Sequence, residues 1–140
     1  MGIYDSANVQ TPQLVKVAKG ALTAGAKNAF AFYWQNPEDS PVIVWRVIVD
    51  VTTAGGTPGS LLTVGLGDTA ATAAADLMDA VDLNAIAVYD NITDVGATGK
   101  SRQKMTAYGG ALDYVTGAIT TADSLLLAGS YYIFYTEVRA

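Results

Sequence analysis

FAFYWQNPEDSPVIVWRVIVDV, residues 30–51, decides the fold of this chain. It holds both tryptophans, two of the three phenylalanines and the longest β-branched run in the sequence. Two apolar arms flank a polar break from Gln35 to Pro41, where two prolines each fix φ and withdraw a backbone donor. The stretch reads as strand, turn, strand at the centre of an antiparallel β-sandwich. In the second arm the odd positions Ile43, Trp45, Val47, Val49 and Val51 are all apolar, and alternation predicts that they face the core. Truncating Trp45 to alanine is then expected to cost about 3–5 kcal/mol. The even positions Val42, Val44, Arg46, Ile48 and Asp50 form a mixed face too apolar for open solvent, which predicts cover by another strand or subunit.

Outward from this ribbon, the chain keeps strand-and-turn texture. Residues 1–10 read as a polar arm, and Gln13 to Lys19 as a first strand or an arm lying on a partner. Residues 21–140 then form a single β-sandwich domain. Gly20 to Lys27 is a loop or hairpin end, and Ala54 to Ser60, AGGTPGS, is a loop. Leu61 to Leu66, Asn84 to Tyr89, Leu112 to Ile119 and the aromatic run Tyr131 to Val138 read as strands. Thr69 to Val81 is the one candidate helix, with Leu77, Met78 and Val81 docking on the sheet edge; an irregular connection fits equally. The expected fold class is all-β, an antiparallel, jelly-roll-like sandwich with at most one short helix.

Composition narrows the chemistry. The 140 residues are 51% hydrophobic and 15% charged, enough to bury a core. No apolar run approaches the roughly 18 residues of a spanning helix, and the N-terminus lacks a signal-peptide pattern. Met1-Gly2 with Ser6 matches the N-myristoylation pattern at two positions only, too thin a match to carry a lipid. There is no cysteine, so neither disulfides nor thiolate chemistry operate. There is no histidine either, which removes the usual general base and the commonest metal ligand. The net charge of −5 opposes nucleic acid as a partner unless the charges are segregated.

Several motifs have both a chemical and a plain reading. Gly65-Leu66-Gly67-Asp68-Thr69-Ala70 fits the loose dinucleotide fingerprint, but residues 92–140 supply strands and turns where a parallel sheet needs crossover helices. Asp76, Asp79 and Asp82, near Asp68, Asp90 and Asp94, have oxygen ligands for Ca²⁺ but no EF-hand spacing, so a solvated acidic face is the stronger reading. Tyr131, Tyr132, Phe134 and Tyr135 resemble a sugar platform, yet successive strand residues point to opposite faces, so some of them must be core. Asn91-Ile92-Thr93 is a glycosylation sequon expected to be unused. Lys100, Arg102 and Lys104 alternate and would share a face if extended, as a solvated loop or a contact to an acidic protein surface.

The succession VIVWRVIVDVTTAGGTPGSLLTVGLGDTAATAAADLMDAVDL, AIAVYDNITDVGATGKSRQK and YVTGAITTADSLLLAGSYYIFYTEV resembles small structural proteins of tailed bacteriophages, of the head-decoration or capsid-cement kind. The resemblance spans roughly residues 30–138 and is one of texture, since none of its elements carries chemistry. It implies a β-sandwich on the outer capsid surface of the virion, a homotrimer or another homo-oligomer, that bridges subunits of the major capsid protein. It implies no catalytic residues, cofactor, metal, nucleic acid or membrane. Lys100, Arg102 and Lys104 are then the expected capsid contact, and Trp34, Trp45, Tyr132 and Phe134 the expected core or subunit packing. The alternative is a carbohydrate- or receptor-binding β-sandwich of a phage tail or fibre, expected to bind a glycan.

Overall fold

The computed structural model describes residues 14–138. The expected arm over residues 1–10 and the Met1-Gly2-Ser6 pattern lie outside the described residues. Among the described residues there are nine strands and no helix: β1 (Lys16–Ala21), β2 (Phe30–Gln35), β3 (Val42–Thr53), β4 (Leu61–Gly67), β5 (Met78–Asp82), β6 (Val88–Asp90), β7 (Gln103–Met105), β8 (Tyr114–Thr120) and β9 (Ala128–Glu137). They build two antiparallel sheets. One has the order β1-β9-β3-β6, with β7 also on β3, and the other runs β2-β8-β4-β5.

The sheets close on a dry core. Val47, Val49 and Ile133 meet Leu62, Val64 and Ile119, all fully buried. Two aromatic pairs bridge the sheets: Phe32 stacks on Tyr131 at 4.4 Å between centroids, and Trp34 tilts against Tyr135 at 4.9 Å. The turn between β2 and β3 is knit by Asn36, whose Nδ2 donates to Ser40 and Thr106 carbonyls while its Oδ1 accepts from Glu38 N–H.

The central strand departs from simple alternation. Its register against β9 shifts between Val44 and Arg46, so a β-bulge sits at Trp45. One extra residue inverts the phase. Before the bulge the even residues Val42 and Val44 are buried; after it the odd residues Val47, Val49 and Val51 are. Ile43 and Trp45 therefore do not face the core, and Trp45 is 42% exposed.

Residues 68–77 form no helix. They cross the outer side of β4 as an irregular strap, and the chain re-enters the sheet as β5. Alanine's helix preference loses to tertiary hydrogen bonds: Thr116 Oγ1 donates to the Thr72 carbonyl at 2.6 Å, Leu66 N–H to Asp76 Oδ1 at 2.8 Å, and Leu77 N–H to the Val64 carbonyl at 2.9 Å. The strap explains the Gly-x-Gly pattern. A Cβ on Gly65 would collide with Asp76 Oδ1 and Ala74, and one on Gly67 would meet Thr72 Cβ at 2.6 Å. Those glycines admit the chain's own strap into the space a pyrophosphate would need.

Candidate interaction surface

Residues paired across an antiparallel ladder share a face. On the outer side of the β1-β9-β3-β6 sheet, one row runs Val17, Phe134, Arg46 and the next Lys19, Tyr132, Ile48, Asp90. A third row sets Thr136 beside Ile43 and Lys104. Trp45, turned out by the bulge, donates its Nε1–H to Thr136 Oγ1 at 2.8 Å. Lys19 Nζ lies 5.5 Å from the centre of the Tyr132 ring, within cation–π range. The result is an aromatic centre with arginine beside it and charges around it, the make-up of a protein-contact surface.

Lys100, Arg102 and Lys104 are all exposed, and among the described residues none forms an ion pair. They do not form one extended segment. Only Lys104 lies in a strand, opposite Ile43 on the outer face, while Lys100 and Arg102 belong to the preceding loop. That loop is tied down by Lys100 N–H and Gln103 Nε2 on the Asp76 carbonyl, at 3.1 and 2.8 Å.

The aromatic residues divide between the two faces. Trp34 packs on the core; Tyr132 and Phe134 are half-buried on the outer face. Tyr131 and Tyr135 point inward to Phe32 and Trp34, which leaves two aromatic side chains of the terminal strand outside. The expected core role of Trp45 is corrected by the bulge; its outward position leaves contact with another subunit open to it.

Asn91, read in the sequence as part of a strand end and a sequon, is fully buried and structural. β6 pairs with β3 at Ile48–Asp50 and β7 at Val42–Val44. Between them Asn91 completes the ladder: its Oδ1 accepts from Val47 N–H at 2.8 Å, and its Nδ2 reaches the Trp45 carbonyl at 3.4 Å and the Ser101 carbonyl at 2.8 Å. A side-chain amide can do this because it repeats the donor and acceptor of a peptide group. The signal lay in an asparagine closing a strand, without a partner visible in the sequence.

The acidic residues serve the loops. Asp79 accepts from Thr98 Oγ1, Asp82 from Asn84 N–H, and Asp94 from Asp90 N–H. Burial pushes the Asp90 carboxyl up, but donors from Thr93 and Ile92 with nearby Arg46 outweigh it, and its pKa falls below the usual aspartate value. Among the described residues no group of three or more acidic side chains converges as a metal site. At the other end of the sandwich, Lys16 bridges Glu38 at 2.9 Å and Glu137 at 3.1 Å. Tyr135 donates to Glu38 Oε2 at 3.0 Å; burial first, then that bond, pushes its phenol up to about 12. The Lys16 ammonium, hydrogen-bonded by both carboxylates, is raised as well. These contacts clamp β1 and the β2–β3 turn to the end of β9.

No family model and no curated protein matches the chain. Among solved structures, a chain of the capsid of Ralstonia phage GP4 shares the fold with a TM-score of 0.59, over 99% of this chain and 94% of that one, at 17% identity.

Proposed function

We propose that this protein is a non-enzymatic structural component of a phage virion: a capsid decoration or cement protein that sits on the outer capsid surface as a homotrimer. It stabilises the head by bridging subunits of the major capsid protein. The observation that carries this reading is the likeness of fold, which runs over nearly the full length of both this chain and the Ralstonia phage GP4 capsid chain. Two further features support it. The strand orders β1-β9-β3-β6 and β2-β8-β4-β5 draw each sheet from both halves of the chain, as a jelly roll does. Lys100, Arg102 and Lys104 offer cations, free of ion pairs among the described residues, to an acidic shell surface.

Co-sedimentation with expanded capsids tests the proposal. The wild-type protein is expected to bind saturably, in a fixed ratio to shell subunits. Arg102→Glu is expected to melt like wild type and bind more weakly, because Arg102 is exposed and outside every strand. Wild-type protein that stays in the supernatant at every concentration overturns the reading.

A further inference from the structure

Of the nine strands among the described residues, only β1 and β6 hold no buried residue, and three-residue β6 runs straight into the buried Asn91. β1 has no such neighbour on its free side: Leu14 and Val15, just before it, are 76% and 58% exposed. Its inner positions are Lys16, Ala18 and Gly20, set opposite Tyr135, Ile133 and Tyr131. A charge and two small residues are all that β1 turns toward the core, and of these Ala18 packs on it. A segment with so little buried apolar surface opens locally at far lower cost than the whole fold.

Two attachments hold the strand besides its ladder. At the free end Lys16 Nζ bridges Glu38 and Glu137, which belong to the β2–β3 turn and to the end of β9. At the other end Leu22 is buried, its N–H donates to the Gly129 carbonyl at 2.9 Å, and Thr23 N–H donates to the Ala31 carbonyl at 2.7 Å. The chain is therefore fixed from Leu22 onward. Withdrawal of Lys16 leaves neither carboxylate without a donor: Glu38 keeps the Tyr135 hydroxyl at 3.0 Å, and Glu137 keeps the Ser40 hydroxyl at 3.1 Å. The seat stays formed when the strand leaves it.

We infer that β1 is a latch. It peels from β9 as a unit about the Ala21–Leu22 junction while the rest of both sheets stays folded, and the Lys16 clamp sets how often it does so. β9 lies between β1 and β3, so the closed latch covers its outer edge. Release turns ten-residue β9 into an open edge, the form of backbone that accepts an added strand. The inference does not depend on capsid binding.

Amide-resolved hydrogen exchange on the full chain tests it. In wild type, the β1 amides bonded to β9 are expected to exchange more than about 100-fold faster than those of residues 115–119 on β8, and almost independently of urea below the unfolding midpoint. The β9 amides that face β1 should exchange with them, while those that face β3 stay protected. Lys16→Ala is expected to speed β1 exchange about tenfold, the worth of a half-exposed network of ion pairs. Lys100→Ala, outside every strand, should leave it unchanged. β1 amides that share the rate and urea dependence of β8, or β1 exchange untouched by Lys16→Ala, would overturn the inference. Should the Lys16 variant fail to fold, the wild-type urea series decides by itself.

Discussion

Asn91 stands in for a peptide group, so its removal leaves Val47 N–H and the Ser101 carbonyl without their amide partner. Unpairing buried backbone groups costs about 1–3 kcal/mol, and Asn91→Ala should show that loss in urea denaturation. Trp45→Ala should cost only about 1 kcal/mol, the worth of its bond to Thr136, because the ring is already outside the core. Ile133→Ala, at a fully buried site, should cost about 2–5 kcal/mol. The reverse order of those two losses would put the bulge in the wrong place. Tyr135 makes a pH prediction. Its folded pKa is raised from 10.0 to about 12, so the stability it contributes is complete below pH 10 and lost as pH rises toward 12. Lys16, also raised, loses its contribution in the same direction. Stability measured between pH 10 and 12 should fall less steeply in Tyr135→Phe than in wild type.

At the scale of elements, the strap over β4 and the turn after β8 make opposite demands. The strap needs the missing Cβ of Gly65, so Gly65→Ala should displace Asp76 and Ala74 and cost about 1–3 kcal/mol. The turn holds Thr121 at φ 73°, where a β-branched side chain is strained. Glycine there relieves about 1–2 kcal/mol of left-handed strain against about 0.5–1 kcal/mol of added chain entropy. Thr121→Gly should therefore raise Tm. Both effects were hidden in the sequence, where Gly65-Leu66-Gly67 looked like a ligand motif and the alanine-rich run after it like a helix. Local propensity is a weak signal once a segment is held by hydrogen bonds to strands distant in the chain.

For the whole molecule, the placement of charge matters more than its total. A net charge of −5 hides a local mixture: β6 and β7 lie along the same side of β3, so Asp90 and Asp94 share that edge with Lys104 and the neighbouring Arg102. Salt screens charges beyond roughly 10 Å at 0.1 M and about 3 Å at 1 M. The proposed capsid attachment through Arg102 and Lys104 should therefore weaken as salt rises; binding that strengthens with salt would leave apolar side chains as the whole of the contact.

The residues alone determined the class of the fold. β-branched and aromatic runs broken by proline and glycine can bury their surface only as strands, and a chain without histidine or cysteine lacks the common catalytic and metal-binding side chains. Only the tertiary structure decided which face of β3 is core. Alternation predicts a phase but not a bulge, and a bulge depends on what lies across the ladder, here the Asn91 amide. The same reason governs the strap and the split of the terminal aromatics. Each depends on partners distant in the chain, which pattern along the chain cannot place.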